Sequence, residues 1–228
     1  MGTEMTLLER PDEVETIGDD GYRRIRTDIL FGRLRPGQKL RLEGLKEGYS
    51  VSVSTLREIL SRLTSEGLVL AEGRRGFEVA PVSVDNLKEL AELRVLLEGH
   101  AMKASFAHAD MEWEGRVVSA HHKLAATERL MSSSIGEPEQ WKRYDSEFHQ
   151  ALISNCGSRT LMEAHAAVFD KYFRYQMIAL NYRGEEPARQ HRELLDCALA
   201  RDAAKAKSVL VAHVGGCVAH ALATGALR

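Results

Sequence analysis

From Ser83 to the C-terminus the chain contains no strand-like run. Apolar residues recur there at helical spacing in one segment after another, with breaks at Gly136, Gly157 and Gly184. The pattern predicts helices near 85–108, 112–132, 138–155, 159–182, 188–200 and 203–223, with Asp85, Asp110, Glu137, Ser158 and Asp202 at plausible starts. Helices of this length, joined by short links, bury their apolar stripes against one another, so residues 83–228 are expected to form an antiparallel six-helix bundle. The region has no internal repeat and no low-complexity tract.

The preceding residues have a different grammar. Tyr22, Ile25, Ile29 and Leu30 share one helical face, and that helix should end near Gly32, before the Pro36-Gly37 turn. Leu42 and Leu45 supply a short second helix broken around Gly48. Ser52 or Ser54 can cap a third that buries Val51, Leu56, Leu60 and Leu63 and stops at Gly67. Two β-prone runs, Leu68–Ala71 and Phe77–Val79, then flank a turn of Gly73, Arg74, Arg75 and Gly76. Three helices followed by a hairpin make a winged helix-turn-helix over 19–82, after a mobile acidic tail over 1–18, with "VAPVSVDN" as the hinge to the bundle. The fold class is therefore mainly α, with a small β-hairpin wing.

A net charge of −2 argues against nucleic acid only until it is divided. Residues 1–19 sum to −5, residues 20–80 to +4 and residues 81–228 to −1. Phosphate attraction acts over a Debye length of roughly 8–10 Å, so the local surplus is what counts. A third helix entering the major groove would present Ser52, Ser54, Thr55 and Arg57 to bases and phosphates, with Arg74 and Arg75 reaching a neighbouring groove. Tyr22, Arg23, Arg24 and Arg41 could hold the backbone. The competing reading pairs Arg57 with Glu58, Glu66 or Asp28 and makes the hairpin a lid on a core. No apolar run approaches the ~18 residues of a membrane span. Cys156, Cys197 and Cys217 are odd in number and lack C-x-x-C spacing, which favours free thiols. A cytoplasmic protein without a membrane partner is the expectation.

The bundle also carries a candidate metal site. "DSEFHQAL" puts Asp145 and His149 four residues apart, one turn along a helix face. His191 lies ten residues before Arg201 and His213 eleven after Asp202, where the chain turns between two helices. At roughly 1.5 Å rise per residue those imidazoles reach the same height on antiparallel neighbours. Three imidazoles and a carboxylate suit a divalent ion, zinc first, with nickel or manganese as alternatives. Against this stand an exposed Asp–His pair and two satisfied core histidines. His100, His108, His121, His122, His165 and His220 are read as surface or packing residues, with His121 also able to approach the pocket, and Met102, Met111, Met131, Met162 and Met177 as core filling.

"GRLRPGQKL", "VSVSTLREIL", "LTSEGLV" and "RRGFEVAPVS" resemble, in order and interval, the N-terminal signature of the GntR family of bacterial transcription regulators. Val53 and Glu43 depart from the family's usual basic or polar residues, so its operator sequences do not carry over. "DSEFHQAL", "HRELLDCALARDAAKA" and "VLVAHV" resemble the FCD effector domain of the FadR-like subfamily, with Asp145, His149, His191 and His213 on the ligand positions of its metal-binding members. The resemblance implies a homodimer on a near-palindromic DNA operator, and repression relieved by a small carboxylate held at the metal. It implies that Arg94 of "AELRVLLEG", and secondarily Arg174 of "FDKYFRYQM", contact that effector; Arg94 could instead pair with Glu98. Similarity to carbon-starvation-induced regulators suggests a short dicarboxylate such as glutarate. On this reading the chain is not an enzyme. The rivals are a metal-dependent hydrolase or oxygenase with an appended DNA-binding domain, which lacks a general base because Glu147 and Glu193 turn away from the site, and a purely structural metal.

Overall fold

A computed structural model describes residues 17–73, 76–179, 184–225 and 227. Positions 1–16 of the expected tail lie outside the described residues, and its last two positions open helix α1 (Ile17–Leu30). Two compact units emerge, one ending at Asp28 and resuming over Gln38–Ala80, the other built from Ile29–Gly37 and the chain after Pro81.

In the first unit, α2 (Leu42–Tyr49) and α3 (Val53–Ser65) follow α1, and Ile25, Leu45, Leu56, Leu60 and Leu63 are buried. Of the two candidate caps for α3 the structure uses Ser52, whose Oγ accepts from Thr55 N at 3.1 Å. Gly67, at φ +72°, takes the left-handed turn after α3. Helix α1 passes α3 closely at Gly21, where a Cβ would lie 2.9 Å from Val51 and 3.2 Å from Ile59, so only glycine allows the approach. The expected hairpin is β2 (Val69–Ala71) with β3 (Phe77–Val79), paired antiparallel with Leu70 opposite Glu78. A third strand, β1 (Lys39–Leu40), joins the other edge of β3, with Leu40 opposite Phe77. Its two residues are too short to show alternation in sequence.

The second unit contains α4 (Val84–Ala107), α5 (Met111–Ser132), α6 (Pro138–Ile153), α7 (Arg159–Ile178), α8 (Glu185–Leu199) and α9 (Ala203–Ala223). Asp110, Ser158 and Asp202 cap their helices through side-chain oxygens, but Ser83 rather than Asp85 caps α4, accepting from Asn86 N. The core runs through Leu87, Trp113, Phe148, Leu194 and Leu210, and Trp113 Nε1 donates to Ala151 O at 3.0 Å, so its polar edge is satisfied inside it. Met111 is 79% exposed and is not core filling. It opens helix α5. Helix α9 is apolar enough by length and hydropathy, mean 1.3, to cross a membrane, contrary to the reading of the sequence. It packs against α4 and α8 and buries Leu210 and His213.

Candidate metal centre

Asp145 and His149 project from α6, His191 from α8 and His213 from α9. All four are buried, and each offers a ligand atom within 4.8 Å of the others. The antiparallel α8–α9 pair turns at Arg201, φ +59°, and brings the His191 and His213 rings together, tilted at 54° with centroids 4.7 Å apart. Helix α6 adds His149 at 5.6 Å from His191 and 5.3 Å from His213. Asp145 Oδ1 lies 3.2 Å from His191 Nε2 and 3.9 Å from His149 Nε2.

The ring orientations are fixed from behind. His149 Nδ1 donates to Glu98 Oε1 at 2.5 Å, His191 Nδ1 to Glu128 Oε1 at 2.7 Å, and His213 Nδ1 to Gln190 Oε1 at 3.0 Å. An ionised carboxylate only accepts, so the Nδ1 atoms facing Glu98 and Glu128 hold protons, and the Nε2 atoms are left as lone-pair donors. Asp145 Oδ1, His149 Nε2 and His191 Nε2 are buried without a hydrogen-bond partner. Buried polar atoms are nearly always satisfied. Such atoms converging on one point fit a divalent cation, and the donor set suits zinc.

Electrostatics match that geometry. Burial raises the Asp145 carboxyl, but Lys142, His191 and His149 outweigh it and hold the group well below the usual carboxylate range. Burial likewise opposes ionisation of Glu98, and Arg94 and His149 reverse it. Burial opposes the His191 imidazolium, yet the facing Asp145 carboxylate and the hydrogen bond to Glu128 push its pKa up to about 9. Burial, then repulsion from His191 and His149, holds His213 well below its ordinary value. With protons as the only cations, one belongs on His191; a divalent ion competes with it for the same lone pair.

Glu98 is the hub behind the site. It accepts from His149, from His165 Nε2 at 3.1 Å, and from Arg94 Nε at 2.9 Å. The pair between Arg94 and Glu98 read from the sequence exists, but it occupies only Nε: Arg94 Nη1 and Nη2 are buried without partners, and the guanidinium lies 4.5 Å from the Phe169 ring centroid and 4.9 Å from that of Tyr172. Burial opposes the charge, and Glu98 more than restores it.

A cavity adjoins the cluster and is lined by Asp145, His191 and His213. Its wall continues through Lys142, whose Nζ donates to Asp145 Oδ2 at 3.3 Å. Arg174 is buried on α7, its pKa lowered by burial to about 10, on a face that does not line this cavity. Glu147 is engaged by Lys123 at 2.5 Å and Glu193 by Arg189, so neither turns toward the cluster.

Glu98, Glu128, Gln190 and His165 were missing from the set read off the sequence, as was the position of His220 in the cavity wall. A signal for them was present. Arg94 and Glu98 fall in phase with Leu87, Leu90, Ala91 and Met102, and Glu128 with Trp113, Val117 and Leu124. Charged residues on a core-facing stripe mark a buried polar network.

On the first unit, Ser52, Ser54 and Thr55 gather at the α3 N-terminus, where Ser52 Oγ lies 2.8 Å from both neighbouring hydroxyls. Arg57 is exposed and makes no ion pair with a described residue. Of its suggested partners, Glu66 is taken by Arg26 at 3.1 Å and Tyr22 at 2.5 Å, and Asp28 accepts from Tyr49. Arg41 is exposed at the start of α2. Tyr22 donates to Glu66 under the Arg62 guanidinium, and the exposed Arg24 lies within hydrogen-bond distance of the Tyr49 and Gly48 carbonyls. Arg74 and Arg75 lie outside the described residues.

Residues 89–216 match the FCD domain, and residues 19–79 match the family described as bacterial regulatory proteins, gntR family. The chain is 36% identical over 220 residues to the uncharacterized HTH-type transcriptional regulator BphR of Paraburkholderia xenovorans, covering 94% of this chain and 89% of that protein. It is 32% identical over 201 residues to the HTH-type transcriptional repressor GlaR of Escherichia coli, covering 86% and 91%. Among solved structures, E. coli McbR/YncC superposes with a TM-score of 0.76 at 20% identity, over 91% of this chain and 98% of that one, a likeness of fold.

Proposed function

Since this chain belongs to the gntR family of bacterial regulatory proteins and carries an FCD domain, it is a DNA-binding transcription regulator, and we propose that it is a homodimeric repressor released by a small carboxylate bound at a zinc centre. The observation that carries the proposal is the convergence of Asp145 Oδ1, His149 Nε2 and His191 Nε2, buried and unpartnered, beside a cavity. Asp145, His149, His191 and His213 would hold the ion. A bound divalent ion supplies positive charge and coordination positions for a ligand carboxylate. Glu98, Glu128 and Gln190 orient the imidazoles, and Lys142 at Asp145 adds a second positive group to the same end of the cavity. Arg94, which like Arg174 does not line the cavity, keeps two buried donors without hydrogen-bond partners behind the ligand cluster, chemically apt for a bidentate carboxylate contact.

In the first unit, Ser52, Ser54, Thr55 and Arg57 would form the DNA-reading end of α3, with Arg41, Arg74 and Arg75 as further DNA contacts. Two copies would place two such helices on a near-palindromic operator. The ligand lowers DNA affinity only if it binds the two dimer arrangements with unequal affinity. Domain limits of 19–82 and 83–228, with a tail before them, and a cytoplasmic setting belong to the same reading.

The test is elemental analysis of purified protein beside His149→Ala and His213→Ala, with operator binding measured with and without short carboxylates. The expected result is one ion per wild-type chain, lost in both variants together with carboxylate-dependent DNA release. An unaltered carboxylate response in metal-free His149→Ala protein would overturn the proposal.

A further inference from the structure

Helix α4 has two unlike faces. Arg94, Glu98, Ala101 and Met102 are buried against the bundle, while Glu89, Glu92, Leu93, Leu96, His100 and Lys103 are exposed. At about 100° of rotation per residue, Glu89, Glu92, His100 and Lys103 all fall within roughly 40° of Leu96, so they form one ridge along the helix. Leu96, at its middle, is 63% exposed, more than any other large apolar side chain inside a described helix; Leu93 beside it is 41% exposed.

The charges on this ridge change sign about Leu96 at equal distances. Glu89 stands seven residues before it and Lys103 seven after, Glu92 four before and His100 four after. The helix macrodipole favours that order of signs only in the first and last turns, and Glu89, Glu92 and Lys103 lie inside them. Nor does the chain use these charges itself. Among the described residues none of the three makes an ion pair, and Glu89 accepts only from Asn86 Nδ2 at 3.4 Å.

A ridge whose signs invert about a point is complementary to itself when a second copy runs antiparallel, since a two-fold axis through that point sets each residue against its mirror position. We propose that a second copy of this chain packs on this face as an antiparallel α4–α4 pair with Leu96 on the two-fold axis, Glu89 facing the partner's Lys103 and Glu92 the partner's His100. This rests on the homodimer reading and adds its surface and register. Leu93 and Leu96 of both copies make the apolar centre, and the charged pairs flank it as a polar rim. Lys207 of α9, whose Cγ lies 3.3 Å from where a Cβ on Gly99 would stand, adds positive charge at the basic end. Arg94 and Glu98 leave the opposite face of the same helix, so the seam and the network behind the ligand cluster share one element.

The test measures self-association of full-length, zinc-loaded protein by analytical ultracentrifugation. Wild type should sediment as a dimer. Glu89→Lys or Lys103→Glu alone sets like charges together twice per dimer and should weaken dimerisation by about tenfold or more, with zinc content and helicity unchanged. Both changes in one chain should restore wild-type affinity, a reversal that a structural role of either side chain would not produce. Leu96→Cys, on the axis, should form an interchain disulfide under mild oxidation several times faster than Leu130→Cys, an exposed position on α5. Wild type, with Cys156 and Cys197 buried, gives the background. Dimerisation indifferent to the single reversals, a double variant no better than they are, or Leu96→Cys no faster than Leu130→Cys would remove the α4 seam and leave the homodimer standing. A wild type that stays monomeric at micromolar concentration would remove both.

Discussion

Glu128 on α5 accepts a hydrogen bond from His191 Nδ1 on α8 at 2.7 Å, with both side chains buried. The bond fixes the proton of His191 on the side away from Asp145 and aims its other nitrogen into the ligand cluster. A residue outside the candidate ligand set thus orients one of its members.

Replacing Glu128 should therefore weaken metal binding without touching a ligand. Glu128→Ala is expected to lower zinc affinity by about 10–100-fold, and Glu128→Gln, which keeps an acceptor, by less. Competition against a chelator of known affinity measures this. Equal affinities in wild type and Glu128→Ala would show that ring orientation is set elsewhere.

Metal affinity should rise with pH. In metal-free protein His191, at about 9, carries a proton at neutral pH, and ion binding must displace it. Affinity should climb by about tenfold per pH unit between roughly pH 7 and 9, with one proton released per ion. Folding of the metal-free chain runs the other way. The folded pKa of His191 lies above the unfolded value of about 6.5, so its contribution is full below that pH and is lost as pH approaches 9. Thermal midpoints of metal-free and zinc-loaded protein should consequently diverge with rising pH; parallel curves would contradict the assignment.

Arg94 and Glu98 form a fully buried ion pair at 2.9 Å. Arg94→Met should destabilise the protein by about 3–5 kcal/mol, since it leaves a buried carboxylate without its main cation. Adding Glu98→Gln should recover much of that loss. A thermal or denaturant double-mutant cycle checks it, and strictly additive losses would mean that the two side chains do not act as a pair.

Arg57 and Ser52 sit close in sequence, yet their substitutions should separate. Arg57→Ala should reduce DNA affinity and flatten the log–log salt dependence by about one unit, with the thermal midpoint unmoved. Ser52→Ala should cost about 1 kcal/mol of stability by removing the α3 cap, and Ser52→Gly only a few tenths. An Arg57→Ala protein with an unchanged salt slope would take that side chain off the DNA.

Element identity was readable because it depends on local periodicity and caps. The α8–α9 hairpin could be placed from its turn at Arg201–Asp202, and with it the common height of His191 and His213. The breaks were less legible: α7 stops at Ile178, where its apolar pattern runs on, and Ser83 displaces Asp85 as a cap because only its Oγ reaches Asn86 N.

The sequence by itself determined the helical content, the wing hairpin and four candidate ligand residues, since each is written in spacings of a few residues or in distances from one turn. Tertiary structure decided what cannot be written that way. Glu98 lies 51 positions from His149, and Glu128 63 from His191, so no local pattern couples them. Their meeting depends on how α4 and α5 rotate against α6 and α8, which is set by the packing of the whole core. The same packing engages Tyr22 with Glu66 and leaves Arg57 exposed, a choice among carboxylate partners that formal charge alone does not make.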